Sequence, residues 1–297
     1  MKVMKKALSF DIGGTKINYG FIDENGNVIN NIEKISTPNT KHDIYNALKD
    51  IVNKYENDVD IITIATAGAV NNENTKILSS TGNLPLGYNE IDFQSLTSKR
   101  VIVENDANCA VWAEYKLGSG KNCGDNIVLL TLGTGVGGGI VVNGKLLKGK
   151  SGSAGEMHFP INSKNRPCTC GFYDCYEAYA SGNGLKNTAQ EIYKDNNITT
   201  YDVINGVKEN DKHAILALDK WQKDVALGII GLVNIFDPNC VILSGSMAQF
   251  IDYKKINDFV NKNIVVQKTE IKKGYFDNNS GIIGAALFGF DKLKGEN

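Results

Sequence analysis

The run Val103-Glu104-Asn105-Asp106-Ala107-Asn108 sets two good helix-capping residues between a β-branched stretch (Val101-Ile102-Val103) and an alanine-rich segment that continues through Trp112 and Glu114 to Gly118. Asp106 is therefore expected at a strand-to-helix junction. The helix amides and dipole there favour an ionised carboxylate. A carboxylate held that way in a cleft can serve as a general base toward a hydroxyl. A plain N-cap, with no chemistry attached, is the competing account of the same residue.

Two glycine-rich turns give that carboxylate company. Ala7–Ile12 reads as a strand, Gly13-Gly14-Thr15-Lys16 as a tight turn and Ile17–Ile22 as a second strand; Asp23–Asn27 is a hairpin signal, and Val28-Ile29 is expected to open a third strand. The pattern recurs at Ile127–Leu132, Gly133-Thr134-Gly135-Val136-Gly137-Gly138-Gly139 and Ile140–Val142, with Asn143-Gly144 as the hairpin turn and Lys145–Leu147 as a further strand. Gly133 follows Gly13 by 120 positions (133 − 13), which points to two related domains. Glycines 133, 135 and 138 satisfy G-x-G-x-x-G, but a strand follows rather than a helix, so the dinucleotide-binding reading fails. The first turn lacks the Gly-Lys-Ser/Thr ending of a P-loop and likewise joins strand to strand. What both turns can do is bring backbone N–H groups close to a polyphosphate. Two of them facing across a cleft would hold the β- and γ-phosphates of ATP. Asp11 would orient a hydrated Mg²⁺, and Thr15, Lys16 and Thr134 would add hydroxyls and a cation.

A third constellation is C-x-C-x₄-C at Cys168, Cys170 and Cys175, with His158 ten positions upstream of Cys168. One histidine and three cysteines make a tetrahedral zinc set. Four protein ligands close the coordination sphere, so the Zn²⁺ would be structural, pinning an irregular loop. His42 and His213 lie alone in polar helical stretches and are expected to face solvent.

The remaining elements position these groups. Residues 40–56 have helical spacing, and Val59–Thr66 is a buried-strand run ending in Ala67-Gly68-Ala69-Val70, the carboxyl edge where ligands sit in open α/β sheets. Asn83 lies in the loop Gly82–Pro85 with its amide free for a ligand. Residues 182–235 read as mostly helical, Cys240–Leu243 as a buried strand, and Ser244-Gly245-Ser246 as a turn for the adenosine end of the nucleotide. Gly281–Leu287 is a close-packed helix expected to return to the first domain. The domain assignment is 1–120, joined by about 281–297, and 121–280 with the zinc loop.

Bulk properties narrow the class. The 297 residues suffice for one large or two ordinary domains. A net charge of −1 gives no electrostatic grip on nucleic acid or an anionic membrane, and no apolar run reaches a membrane span. The basic N-terminus is broken by Asp11 too soon for a signal peptide, and bunched cysteines suit metal binding in a reducing compartment, so a cytoplasmic location is expected.

Taken together, the Asp11–Lys16 D-I-G-G-T-K turn, the Glu104–Asn108 E-N-D-A-N segment, the Gly133–Gly139 turn, the Glu156/His158 segment, C-x-C-G-x₃-C-x-E at 168–177 and the terminal G-I-I-G-A-A resemble the ROK family of sugar kinases and repressors. The resemblance spans essentially the whole chain. It implies an α/β, actin/hexokinase-like (ribonuclease H-like) duplicated two-domain fold with a cleft between the domains. It also implies roles. Asp106 would be the base on a sugar hydroxyl, usually that on C6. Gly68, Asn83, Asn105, Glu156, His158 and Glu177 would bind the sugar. Asp11, Gly13, Gly14, Thr15, Lys16, Gly133, Thr134, Gly135, Gly137 and Gly245 would serve ATP and Mg²⁺. His158, Cys168, Cys170 and Cys175 would hold zinc. The family pattern Glu-x-Gly-His is one residue short here, as Glu156-Met157-His158. Counting back from the cysteines gives His158 as the metal ligand, whereas an ungapped alignment from Glu156 gives Phe159. The family's glycine before the last cysteine is Asp174, which would strain that turn.

Family repressors carry a helix-turn-helix ahead of the core, for which the ten residues before Asp11 leave no room, so a kinase is expected. An actin-like filament or chaperone would leave Asp106 and the cysteine loop unexplained. The segments W-A-E-Y at 112–115, C-x-E-A-x-A-S-G-x-G to Gly184 and the 281–287 end most resemble bacterial N-acetylmannosamine kinases, with glucokinases and fructokinases as alternatives. The expected setting is sialic acid catabolism, and family members are often homodimers.

Overall fold

The structure, a computed structural model, describes residues 4–80 and 84–295. The chain divides into two compact units. One comprises Met1–Lys121, Gly139–Gly155 and Asn278–Asn297; the other comprises Asn122–Gly138 and Glu156–Asp277.

The strands are β1 (Lys6–Ile12), β2 (Lys16–Asp23), β3 (Glu33–Ser36), β4 (Ile61–Thr66), β5 (Ala69–Val70), β6 (Ile77–Ser79), β7 (Val101–Asn105), β8 (Ile127–Leu132), β9 (Val136–Val142), β10 (Lys145–Leu146), β11 (Cys240–Ser244) and β12 (Glu270–Lys273). The α-helices are α1 (Lys41–Tyr55), α2 (Asp106–Lys116), α3 (Tyr176–Ala180), α4 (Gly182–Tyr193), α5 (Thr200–Lys208), α6 (Lys212–Phe236), α7 (Tyr253–Asn263) and α8 (Ser280–Gly295).

The two large sheets repeat one plan. The first runs β3-β2-β1-β4-β7 and the second β10-β9-β8-β11-β12. In each, a three-stranded meander is extended on one side by parallel strands: β1 pairs in parallel with β4 and β4 with β7, while β8 pairs in parallel with β11 and β11 with β12. The duplication expected from the glycine turns is thus a repeated strand order. The third strand of the first meander does not open at Val28. That residue makes only an isolated bridge to Ile22, and β3 starts at Glu33.

Strands buried on both faces read as continuous apolar runs, and β4 is buried along its whole length. Its neighbour α1 starts at a Thr40 cap, whose hydroxyl accepts from the Asp43 amide, and buries Ile44, Leu48 and Val52. The helix α8 packs on α2, β1 and β4. Glycine makes this close approach possible: at Gly284 a Cβ would overlap the Cys109 carbonyl of α2. Among the described residues, no helix is long and apolar enough to cross a membrane.

Candidate active site

Register sets the first group of side chains. Ile12 lies opposite Thr66, and Thr66 opposite Asn105, so β1, β4 and β7 end at one level. Asp11, Gly68, Asn105 and Asp106 all lie at this carboxyl edge, the place where open parallel sheets bind ligands.

At the junction Asn105, not Asp106, is the cap. Asn105 has extended backbone (φ −62°, ψ 143°), and its Oδ1 accepts from the amides of Ala107 (3.0 Å) and Asn108 (3.1 Å). Its Nδ2 donates to the Gly68 carbonyl at 3.0 Å. Gly68 has φ +102°, and a Cβ there would overlap the Ser79 carbonyl, so only glycine fits. Asp106 is the first helical residue, and its carboxylate accepts from the adjacent Ala107 amide at 2.8 Å. Burial raises its pKa, opposed by that amide and its own. Asp106 is nonetheless exposed, which tempers the penalty and leaves the carboxylate reachable by a hydroxyl.

Asp11 is the second carboxylate, half-buried next to the Cα of Gly281. Burial, then the charge of Asp106, push its pKa up to about 7, with a hydrogen bond from Asn18 and the charge of Lys16 pulling down. Beneath them, the Tyr88 and Thr66 hydroxyls are hydrogen-bonded at 2.7 Å and closed off from solvent. Two carboxylates thus stand at one sheet edge, with Asp106 exposed.

The raised pKa of Asp11 makes stability depend on pH with a definite sign. Unfolded, its carboxyl ionises near 3.8; folded, near 7. Between these values the folded state keeps a proton that the unfolded state has lost, so stability falls as pH rises through this window. Three units correspond to about 4 kcal/mol at most, reduced to on the order of 1–2 kcal/mol by solvent access. Asp11→Asn is expected to gain that amount relative to wild type in urea unfolding at pH 8 and almost nothing at pH 4. An equal difference at both pH values would refute the raised pKa.

The Asp11–Lys16 turn is a plain hairpin connection: the Gly13 amide donates to the Lys16 carbonyl (3.0 Å), and the Thr37 hydroxyl donates to the Gly13 carbonyl (2.6 Å). Gly14, Thr15 and Lys16 are exposed.

In the second unit the corresponding turn follows β8. A Cβ at Gly133 would meet nothing within 4 Å, and Gly133 does not have the left-handed φ that favours glycine. Neither packing nor a left-handed backbone demands glycine there. The Gly133 carbonyl accepts from the Gly182 amide at 2.7 Å, and the Gly137 amide donates to the Thr131 hydroxyl at 3.1 Å. Gly245, by contrast, has φ +87° and lies against the Leu132 carbonyl, so its glycine is required by the fold itself.

The cysteine loop gathers as its spacing demands. The ligand atoms of His158, Cys168, Cys170 and Cys175 all lie within 4.8 Å of one another. Cys170 and Cys175 Sγ are 3.5 Å apart, and Cys168 Sγ is 3.6 Å from His158 Nδ1. Tetrahedral zinc, with bonds of about 2.3 Å to sulfur and 2.0 Å to nitrogen, sets such atoms roughly 3.5–3.8 Å apart. The residues therefore fit the metal. His158 rather than Phe159 joins the cluster; Phe159 instead stacks on Tyr176, with ring centroids 5.2 Å apart. His158 Nε2 lies 3.6 Å from Glu156. Asp174 has φ +58°, a conformation that aspartate tolerates, and its carboxylate accepts from the Asn165 (2.8 Å) and Arg166 (3.0 Å) amides and the Tyr179 hydroxyl. Those bonds offset the strain expected from the missing glycine.

Glu177 links this loop to the glycine turn. One carboxylate oxygen accepts from the Val136 amide at 3.0 Å, and the other accepts from the Thr169 hydroxyl and lies 3.8 Å from Cys168 Sγ. Asn83 lies outside the described residues. His42 and His213 are exposed, His213 beside Asp211 at 3.7 Å.

One group escaped the sequence reading. Glu104 is buried under the junction and paired with Lys148 at 2.8 Å. Its place just before Asn105 was a signal; nothing in the sequence pointed to Lys148, 44 positions away.

A sequence model described as the ROK family matches residues 7–291. The glucokinase of Streptomyces coelicolor is 31% identical, over 82% of this chain and 83% of its own length. The N-acetylmannosamine kinase of Yersinia pestis is 29% identical, over 96% of this chain and 98% of its own. Among solved structures, the ROK family glucokinase of Streptomyces griseus in complex with glucose and AMPPNP superposes with a TM-score of 0.77 at 27% identity, over 96% of this chain and 98% of that one.

Proposed function

Because the chain belongs to the ROK family, with the actin/hexokinase-like fold of that family, we propose that it is an ATP-dependent kinase acting on the C6 hydroxyl of a hexose or N-acetylhexosamine. N-acetylmannosamine is the first choice of substrate, and glucose or fructose the alternatives. The observation that carries the reading is the place of Asp106: it stands exposed at the sheet's carboxyl edge, with the capping duty taken by Asn105.

In this reading Asp106 accepts the proton of the sugar hydroxyl as the γ-phosphoryl group transfers. The transition state is loose, so the base acts mainly by positioning. Asn105, with one N–H of its amide beyond the bond to Gly68, joins Gly68, Asn83, Glu156, His158 and Glu177 in binding sugar hydroxyls. Asp11 orients Mg²⁺, which neutralises phosphate charge when bound with ATP. Gly13, Gly14, Thr15, Lys16, Gly133, Thr134, Gly135, Gly137 and Gly245 serve the nucleotide. His158, Cys168, Cys170 and Cys175 hold a structural Zn²⁺, which fixes His158 for the sugar. A homodimer in the cytoplasm, without nucleic-acid or membrane partners, completes the proposal.

Support for N-acetylmannosamine comes from the 112–115 and 175–184 segments and from the Yersinia pestis relative, while the glucokinase relatives support glucose to a similar degree. A coupled ADP-release assay with Mg²⁺ and ATP over N-acetylmannosamine, N-acetylglucosamine, glucose, mannose and fructose decides. The expected result is a kcat/KM for N-acetylmannosamine at least about tenfold above the others, a difference of about 1.4 kcal/mol in transition-state binding. Preference for glucose would select the alternative; no ADP release with any sugar would overturn the kinase reading.

A further inference from the structure

Glu104 directly precedes the capping Asn105 and the proposed base Asp106. Its side chain is 1% exposed, yet both carboxylate oxygens are fully engaged. Oε1 accepts from the Asn105 amide (2.8 Å) and Asn108 Nδ2 (3.1 Å); Oε2 accepts from Asn74 Nδ2 (2.6 Å) and Lys148 Nζ (2.8 Å). Four donors from three separate stretches of chain thus converge on one carboxylate at the root of α2. Asn74 itself, at φ +62°, clamps β7 by donating to the Val103 carbonyl (2.9 Å) and accepting from the Val103 amide (2.9 Å).

Lys148 supplies the cation. Its ammonium also donates to the Asn71 carbonyl at 2.9 Å. The segment behind it is fastened as well: the Ala154 amide donates to the Lys148 carbonyl (3.2 Å), and Gly152 lies so close to the Val70 carbonyl that no side chain fits. Eight residues after Lys148 (156 − 148) the chain reaches Glu156, the first of the proposed sugar-binding residues in that segment. A buried ion pair is weak evidence for stability, because desolvation consumes much of the attraction; its better-attested use is to fix one arrangement. Here the arrangement fixed is the base of the helix that carries Asp106, and the same ammonium anchors the strand end that leads to Glu156.

We propose that Lys148 is a positioning residue: through Glu104 it holds the β7–α2 junction, and with it Asp106, in the geometry that phosphoryl transfer requires. The inference rests on the kinase reading for its catalytic consequence. It does not rest on that reading for its structural one, and the two are tested separately.

The variants are Lys148→Met, Lys148→Arg, and Lys148→Met combined with Glu104→Gln. In hydrogen exchange, Lys148→Met is expected to speed exchange at the Ala107 and Asn108 amides by about tenfold or more, with no change at the Gly13–Lys16 turn. In steady-state assays, misplacing the base is expected to lower kcat by about ten- to a hundredfold while the KM for ATP stays within about twofold. Lys148→Arg, which keeps the charge, is expected to recover most of the loss, and the double variant is expected to be no slower than Lys148→Met, since both changes break one pair. A purely stabilising Lys148 would lower the melting temperature of Lys148→Met and leave the kcat of the folded enzyme and the Ala107–Asn108 exchange unchanged; that result overturns the proposal. So does a double variant markedly slower than Lys148→Met, since Lys148 and Glu104 would then act independently. Should Lys148→Met fail to fold, Lys148→Gln takes its place, with the same expected and overturning results. If wild type phosphorylates no sugar, the kinase reading fails, and the exchange measurement still decides whether Lys148 fixes the junction.

Discussion

Asp106→Asn is expected to lower kcat by about 10²–10⁴-fold while leaving the sugar KM within a few fold of wild type. The size follows from what is removed. Asparagine keeps the shape and the acceptor for the Ala107 amide, but it cannot take a proton from a hydroxyl. The structure makes the test clean, because Asp106 is not the cap. Removing a cap costs about 0.5–2 kcal/mol of stability, and that cost belongs to Asn105→Ala, whose side chain serves the Ala107 and Asn108 amides. Asp106→Asn should instead keep its melting temperature or gain slightly, since a charge beside Asp11 disappears and the pKa of Asp11 falls. Turnover lost with stability kept is the signature of a base. Near-normal turnover, or a stability loss equal to that of Asn105→Ala, would return Asp106 to the role of a capping residue.

How much of this was readable beforehand differs from residue to residue. The two meanders were legible because glycine, asparagine and aspartate at turns leave local signatures, and because a strand buried on both faces is a run of apolar residues. The repeat of the strand order followed from the 120-residue spacing of the turns. The division of labour between Asn105 and Asp106 was not legible. Both residue types cap well, and the choice is made by backbone: Asn105 is extended and the helix begins one residue later. The early ending of the first hairpin was also hidden, since Val28-Ile29 has strand composition but makes one bridge only. Glycines carried mixed messages. Gly152, Gly245 and Gly284 are dictated by carbonyl groups of the fold itself, whereas Gly133 faces open space. Sequence cannot separate these cases, because the colliding carbonyls come from distant elements. The Lys148–Glu104 pair is the extreme example: nothing in the sequence sets Lys148 apart from Lys145 and Lys150 beside it, and its partner is fixed only when β7 is in place.

Removing the proposed zinc should produce the second large effect. Purified protein is expected to carry one zinc per chain, released on titrating the thiols, and Cys168→Ser is expected to lose it. The four ligand atoms already lie at near-coordination spacing, but three thiols and an imidazole held together without a cation have little to keep them so. Apart from the metal, residues 158–175 are held by bridges at Pro160–Cys175 and Pro167–Tyr173, by the Asp174 carboxylate on the Asn165 and Arg166 amides and the Tyr179 hydroxyl, and by the Arg166 guanidinium on the Ala178 carbonyl (3.1 Å) and Glu191 (2.7 Å). Without the metal, hydrogen exchange across this loop should rise sharply while β8 and β11 keep their protection. The consequence for activity follows from His158 and Glu177. His158 is tied to Cys168 on one side and to Glu156 on the other, and Glu177 is tied to Thr169 in the loop and to Val136 beyond it. Freeing the loop therefore releases three of the proposed sugar-binding side chains together. The expected outcome is a rise of about 10–100-fold in the sugar KM, the range seen when partners around a metal are lost, reversed by re-adding Zn²⁺ under reducing conditions. Protein isolated metal-free with intact thiols and an unchanged sugar KM would show that the cluster is a packing feature. Loss of ATP binding with the sugar KM unchanged would show instead that the loop acts through Glu177 on the glycine turn, and not on the sugar.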